Sequence, residues 1–551
     1  MFFRKVTRKH GNRTYEYLAL VETYRTPKGP RQRTIHYFGN IARIPQRQRR
    51  RLVGSLSRAL GLPEPTAVEL HSLDTRHYAD VLALRALWEQ LDLPATIGRL
   101  ASDRGVEFDL ELVCFLMVAH RLINPGSKLA LTRWLPDVYL QDRDVPAVQV
   151  QHCYRALDIL DGIRFEIEEA LFVRLSDLFA RELSLVFYDL TSTYFEGDGP
   201  SEAAYGYSRD RRPDQKQLII ALAVDKRGLP ITHLTFAGNR LDHQTLEEAV
   251  GHLRERFELA RVIFVADGGV MTDANLEQLA TSEYQHLIAV PKRRVLVREL
   301  VGSVQWAIDD VVGENVMARE LTREDAPGIT YLVCYNPERA EQGAQIRQGR
   351  MRRATEGLQK IQRQVGSGHL QHHDAIVAGA SRVLTAARAR KYFTVHSRGD
   401  GHFAFHLQQD RIAHAAALDG YYVLQTDAPG LSAEDILGTY KTLQQVEHAF
   451  RDLKDFIQLR PIYHYTDARV RGHVFVCMLA YLLQRILELQ LEAADHPQSA
   501  QVALEKLEPI RVVRNKLGDD IIDCVVQRRP EGADAILKAL GLLPLPAVLA
   551  S

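Results

Sequence analysis

The chain has 551 residues, 46% of them hydrophobic and 25% charged, and its 70 Lys and Arg against 69 Asp and Glu leave a net charge of +1. At about 150 residues per domain, this is enough apolar material for more than one core, and the overall charge by itself announces no nucleic-acid partner. The five cysteines are scattered without a CxxC pair, which argues against a disulfide scaffold or a zinc ribbon and fits a reducing cytosol.

The distribution of charge says more than the total. Residues 1–51 carry fourteen Lys or Arg against only Glu16 and Glu22. Within them, RTYEYLALVETYR and PRQRTIHYFG alternate around the turn TPKG, which reads as a β-hairpin. A basic, aromatic-bearing hairpin suits contact with nucleic-acid phosphate, although a solvated basic surface has the same composition. The opening MFFRKVTRKHGNR lacks the apolar segment of a secretory signal, and no apolar run approaches the roughly 20 residues that span a bilayer.

Residues 66–180 show apolar spacings of three and four in VLALRALWEQL, LELVCFLMVAHRLI and FEIEEALFVRLSDLFA, so they read as helices. The NPGS turn at 124–127 gathers Arg121, Lys128 and Arg133, a pattern open to DNA binding, assembly or plain packing. From Leu183 the period changes. LSLVFYDLTSTYF is a strand ending in a polar run, GYSRDRRPDQK a basic loop, and QLIIALAVDKRGLPITHLTFAG two strands joined at DKRG. A helix from Asp242, the strand RVIFVADGGV, a helix capped by Thr272 or Asp273 and the strand YQHLIAVPK follow. Three antiparallel strands, then helix, strand, helix and strand, give a mixed α/β sheet. This order suits a ribonuclease-H-like core better than a doubly wound fold. Residues 296–430 interrupt that core with short strands and the strongly basic helical run RQGRMRRATEGLQKIQRQ, which either tracks a phosphate backbone or is simply solvated.

YKTLQQVEHAFRDLK, Tyr440 to Lys454, reads as one helix with Ser432 as an upstream cap. At about 100° per residue, Tyr440, Leu443, Phe450 and Lys454 fall within about 60° of Glu447, so a carboxylate shares a side with apolar neighbours. A buried charge is costly unless something binds it. Asp189 in FYDLTST and Asp267 in VADGG each stand where an apolar strand emerges, the place where open α/β sheets present their sites. Each alone could be a turn or cap residue, as Asp225, Asp242, Asp273 and Asp427 are read to be. Together with Glu447 they form three carboxylates on three elements. Such a set, with waters, suits Mg²⁺ or Mn²⁺ and in-line phosphodiester displacement. Gly268 and Gly269 would let backbone or substrate approach closely.

With these segments in view, the chain resembles the DDE transposases of bacterial insertion sequences, in the IS-four-type group with a Tyr–Arg–Glu–Lys signature. Tyr440, Leu443, Glu447 and Lys454 occupy the signature spacing, and three of the four match. The likeness also takes in YEYLALVETYR, NPGSKLA, YDLTSTYFEG, GYSRDRRPDQKQ, FAGNRLDH and ADGG. It implies a ribonuclease-H-like core holding Mg²⁺, with Mn²⁺ able to substitute, on Asp189, Asp267 and Glu447. It implies DNA contacts from Tyr440 and Lys454, and a homodimer acting on paired ends of double-stranded DNA in the bacterial cytoplasm, with no membrane. Leu443 replaces the signature arginine, and Arg451, about 40° from Glu447 on the next turn, is the candidate substitute.

The expected organisation is a basic β-hairpin region (1–65), a helical DNA-binding or assembly domain (66–180) and a catalytic core in two parts (181–295 and 431–491). A mainly β insertion (296–430) separates those parts, and a C-terminal helical region (492–551) follows. The expected function is Mg²⁺-dependent cleavage at terminal inverted repeats followed by strand transfer. A metal-dependent endonuclease without strand transfer, and a catalytically inactive DNA-binding protein, are the alternatives.

Overall fold

The computed structural model describes residues 1–10, 13–40, 46–62, 70–141, 143–179, 185–241, 244–257, 263–266, 273–281, 284–292, 294–307, 315–399, 402–517 and 520–549. These fall into two compact units, residues 1–74 with 513–524 and residues 75–512 with 525–549. In the first unit β1 (Phe2–His10), β2 (Arg13–Thr26) and β3 (Gly29–Asn40) form an antiparallel sheet in that order. Thr26 stands opposite Gly29, whose φ of 105° closes the TPKG turn as only glycine does without strain. The hairpin read from sequence is therefore β2–β3, and β1 adds a third strand to it. Ala19 and Val21 are buried, whereas Phe3, Tyr24 and Tyr37 stay exposed beside basic residues. The helix α1 (Gln46–Ala59) and the strand β4 (Leu70–His77) follow.

The second unit opens with five helices: α2 (Ala79–Gln90), α3 (Leu93–Ala101), α4 (Leu110–Ile123), α5 (Lys128–Trp134) and α6 (Val150–Phe179). Asp109 caps α4 by accepting the Leu112 N–H at 3.0 Å, and Ser127 of the NPGS turn caps α5 through the Ala130 N–H at 3.0 Å. Then comes the segment expected as the core: β5 (Leu185–Tyr194), β6 (Gln217–Val224), β7 (Pro230–Ala237), α7 (Leu246–Phe257), β8 (Ile263–Ala266), α8 (Asp273–Thr281) and β9 (Gln285–Val290). Strands β5, β6 and β7 pair antiparallel, and β8 and β9 run parallel beside β5. At the DKRG turn the Asp225 carboxylate accepts the N–H groups of Arg227 and Leu229, both at 2.9 Å, which is the structural role read for it.

The remaining elements are α9 (Val295–Ser303), β10 (Met317–Arg323), β11 (Ala326–Tyr335), α10 (Pro337–Gly366), α11 (His373–Ala386), β12 (Phe393–Gly399), β13 (His402–Leu407), α12 (Gln409–Ala417) and β14 (Tyr421–Thr426). This stretch departs from the mainly β expectation. α10 alone has 30 residues and α11 has 14, while the strands are 6 to 10 residues long. The reason is apolar spacing on a sequence of good helix formers. Ala354, Leu358, Ile361 and Val365 line one face of α10 and bury it against Ile376, Ala380 and Leu384 of α11. Strands β10, β11 and β14 are not separate from the core either, because they extend its sheet to eight strands in the order β10-β11-β14-β9-β8-β5-β6-β7.

After β14 come α13 (Ala433–Thr442), α14 (Gln444–Asp455), α15 (Asp467–Ala493), α16 (Ala500–Leu507), β15 (Arg511–Leu517), β16 (Asp520–Val525) and α17 (Ala533–Ala539). The two strands correct the all-helical reading of 492–551, since RVVRNKL and DIIDCV carry the β-branched residues of a strand pair. Among the described residues α15 has the length and apolar composition of a membrane span, yet 78% of its apolar window is buried inside the protein. It packs on α6, α4 and α2. Gly472 permits this closeness, because a Cβ there would stand 2.3 Å from the Leu157 carbonyl oxygen of α6.

The sheet has an apolar layer on each face. One layer joins Val186, Tyr188 and Leu190 of β5 to Leu246, Val250 and Leu253 of α7. The other joins Phe187 of β5, Leu222 of β6 and Val265 of β8 to Val446, Ala449, Phe450 and Leu453 of α14. Each large side chain in these layers contributes about 1.5–3 kcal/mol by leaving water. The alternation of strand side chains thus decides which residues of β5 face α14.

Candidate active site

Asp189 is the fifth residue of β5, opposite Leu222 of β6, and is half-buried. It sits mid-strand rather than at the strand end expected from sequence. The run LTSTY continues the ladder because threonine and tyrosine pack well on a pleated surface. By parity Asp189 shares a face with Phe187, the face that α14 covers. Asp267, together with Gly268, Gly269 and Thr272, lies outside the described residues, as does Asp242. The described part of β8 ends at Ala266, with Val265 paired in parallel to Phe187.

Glu447 is in the first turn of α14, which packs against β5 and β6. It is exposed, against the expectation of an inward-facing carboxylate. The single helix from Tyr440 to Lys454 is in fact two. Ser432 and Asp435 form a reciprocal capping box at the start of α13, and the chain tightens at Leu443. There the Leu443 N–H bonds the Tyr440 carbonyl and the Val446 N–H bonds the Leu443 carbonyl, both at 3.1 Å. These three-residue steps interrupt the α pattern, so a wheel drawn across them misplaces the residues beyond. Within α14 the buried Val446, Ala449, Phe450 and Leu453 centre about 110° from Glu447, at the helix edge. Among the described residues the Glu447 carboxylate makes no hydrogen bond or ion pair.

Glu447 borders an open cleft of about 380 Å³. Arg451 and Lys454 of α14 line it, with Arg460 beyond the helix and Arg209, Asp210 and Arg211 from the loop between β5 and β6. Tyr440 and Leu443 are not part of it. Tyr440 is half-buried against the main core, and Leu443 is 8% exposed. Arg451 is exposed, and Lys454 is almost covered. The Lys454 ammonium is 2.7 Å from Asp210 Oδ1, and the same oxygen accepts from Arg460. Burial lowers the Lys454 pKa, and the Asp210 partner opposes that shift.

The loop is built to present Asp210. Gly206 crosses Gly238 so closely that a Cβ on Gly206 would lie 1.8 Å from the Gly238 carbonyl oxygen. The Arg209 N–H donates to Ser192 Oγ of β5 at 3.0 Å, and Arg212 covers the Tyr194 ring at 4.9 Å. Arg211 holds a left-handed φ of 59°, a conformation that costs a non-glycine residue about 1–3 kcal/mol. The chain after α14 is zipped to the end of β5, with Ile462 N–H on Tyr194 O and Glu196 N–H on Ile462 O, each at 3.1 Å. Asp210 and Arg460 are the functional candidates that the sequence reading missed. The available signal was a lone acid inside SRDRR.

The basic cluster at the NPGS turn has another fate. Arg121 and Lys128 are each 6% exposed, while Arg133 is exposed. Arg121 donates to the Gln458 carbonyl at 3.0 Å, and burial pushes Lys128 down to about 7. Asp427, read as structural, accepts the His286 N–H at 2.7 Å and pairs with its ring at 3.0 Å. Among the described residues no three His, Cys, Asp or Glu side chains converge as a metal site. Asp189 and Glu447 nonetheless fit a hard divalent cation in donor chemistry, since both offer only carboxylate oxygen from elements packed together.

Residues 181–483 match the family model described as transposase DDE domain, and residues 3–65 match that of the IS1634 family transposase N-terminal domain. No curated protein matches the chain. The cryo-EM structure of a piggyBac transposase synaptic complex with hairpin DNA is similar at 9% identity and a TM-score of 0.37, over 79% of this chain and 82% of that one.

Proposed function

The chain belongs to the transposase DDE domain family, and from that membership we propose that it cuts DNA at the terminal inverted repeats of its own insertion sequence and joins the ends to target DNA. The N-terminal match to an insertion-sequence family supports the same source. The observation that carries the proposal is the packing of α14, which bears Glu447, against β5, which bears Asp189. Asp189 lies on the face of β5 covered by α14, and Glu447 at the edge of α14 beside a cleft rich in arginine. The strand order β7-β6-β5-β8-β9, three antiparallel strands and then two parallel ones, supports a ribonuclease-H-like core. In sequence Asp267 stands two residues after Val265, as Asp189 stands two after its strand partner Phe187.

Asp189, Asp267 and Glu447 would hold Mg²⁺, or Mn²⁺ in its place, and a divalent ion there supplies an activated water and steadies the leaving oxygen. The protein's own cations then orient the DNA. Lys454 and Arg451 neutralise phosphates next to the scissile bond, and Tyr440 supports the helix pair from behind or reaches the backbone at its hydroxyl. Water attacks the phosphorus, the bond to the 3′-oxygen breaks, and the freed 3′-hydroxyl later displaces a 3′-oxygen of target DNA with no net change in bond number. A basic N-terminal region and a helical module that recognise the ends, a homodimer on paired ends, the IS-four-type assignment and a cytoplasmic site of action belong to this proposal.

The test is incubation of the purified protein with labelled element ends and Mg²⁺, wild type beside Glu447→Gln. Wild type is expected to cut at the ends and the variant to bind equally but lose at least about 100-fold in cutting rate. Cutting that persists in the variant removes Glu447 from the mechanism. Cutting of ends without joining to target would favour the endonuclease reading.

A further inference from the structure

Asp210 is the least expected member of the cleft. Its side chain is 4% exposed, and one of its oxygens serves both Lys454 and Arg460. Its second oxygen, Oδ2, is buried without a donor among the described residues. A carboxylate taken out of water in this way costs several kcal/mol unless cations compensate, so Asp210 and its two partners form one coupled unit. The unit carries a net positive charge and opens on the same cleft as Glu447. Arg460 is held from its other side as well, by Asp455 Oδ1 at 3.2 Å. Arg451 and the exposed Arg211 stand at the same cleft, and among the described residues neither guanidinium makes a hydrogen bond or ion pair.

Without an acid between them, Lys454 and Arg460 would repel and turn outward. We infer that Asp210 is a positioning residue that holds Lys454 and Arg460 side by side as a clamp for one phosphate of the DNA end, Arg460 supplying the cation absent at Leu443. Position 443 lies in the apolar core at the junction of α13 and α14, so the second cation comes from the loop beyond α14 instead. A phosphate with two unshared oxygens accepts from an ammonium and a guanidinium together, which a single lysine cannot match in geometry. The inference rests on the transposase reading of this cleft.

The test is the salt dependence of binding to end DNA, measured for wild type, Asp210→Asn, Arg460→Gln and the double variant. Each single variant is expected to weaken binding about 10-fold and to reduce the slope of log affinity against log salt by about one. The double variant is expected to be no worse than either single one, because the clamp is lost once. Unchanged affinity and slope in Asp210→Asn, or single effects that multiply, would overturn the clamp while cutting by wild type left the transposase reading intact. Wild type that neither binds nor cuts the ends would remove both. Should Asp210→Asn fail to fold, Arg460→Gln and Arg460→Lys decide. Loss of slope in the first with partial recovery in the second supports the clamp, and equal slopes in all three refute it.

Discussion

The sharpest structural perturbation of the site is Gly206→Ala. A Cβ at this position would lie 1.8 Å from the Gly238 carbonyl oxygen and 2.8 Å from its carbon, where contacts under 3.0 Å are essentially never seen. Both neighbours are backbone, and Gly238 cannot yield, because its own surroundings include the Gln217 carbonyl oxygen at 2.2 Å from a Cβ built there. The loop must therefore withdraw by about 1.2 Å, which costs about 1–3 kcal/mol as overpacking. The same withdrawal pulls on the Arg209 N–H bond to Ser192, now 3.0 Å, and carries Asp210 away from Lys454. A displacement of about 1 Å in a positioning group costs about 100-fold in rate. Single-turnover cutting of labelled end DNA by Gly206→Ala should fall by about that factor. The control is Gly251→Ala in α7, where a Cβ meets nothing within 4 Å and helix propensity favours alanine by about 0.5–1 kcal/mol. Cutting by Gly206→Ala within about twofold of wild type would refute the account of how this loop is held.

Two further outcomes follow from the packing behind the site. His464 is held near 3 chiefly by burial, with Lys128, Arg121 and Arg469 reinforcing it, so the folded state keeps the ring neutral while the unfolded chain protonates near 6.5. Stability is thus lost as pH falls below 6.5, and thermal melts of His464→Gln should recover about 1.4 kcal/mol relative to wild type on going from pH 7.5 to 5.5; equal pH dependence in the two proteins would contradict the burial. Gly472→Ala puts a Cβ 2.3 Å from the Leu157 carbonyl oxygen and should lower the melting temperature by about 2–4 °C or more as α15 is pushed from α6, with an unchanged melt counting against that crossing.

The sequence carried the strand order of the core because each strand there is apolar and bounded by a turn with its own chemistry. The pairs β2–β3 at TPKG and β6–β7 at DKRG are read directly from glycine and aspartate placement. The presence of Asp189 in an apolar strand was legible for a related reason, a carboxylate inside a run that otherwise buries, although the strand runs on past it to Tyr194. The basic run of α10 was legible as a helix, but its polar surface hid the apolar face of Ala354, Leu358, Ile361 and Val365 that packs on α11.

The orientation of Glu447 was not legible, and the cause is local. A wheel extended through Tyr440 assumes one uninterrupted rise, and the 3.1 Å bonds around Leu443 break that assumption. An exposed Glu447 is nonetheless better placed for chemistry than a buried one. On the proposed reading, a carboxylate at the edge of α14 would meet DNA entering the cleft, whereas one among Phe450 and Leu453 would meet only side chains. The clamp residues could not have been found from sequence spacing, because Asp210 lies 244 residues from Lys454 and 250 from Arg460. The packing of α14 on β5, the zipper between Tyr194 and Ile462 and the crossing of Gly206 over Gly238 bring them together. The glycines that look dispensable in GYSRDRR and FAGNR are thus what allows an acid on one loop to set the charge geometry of another.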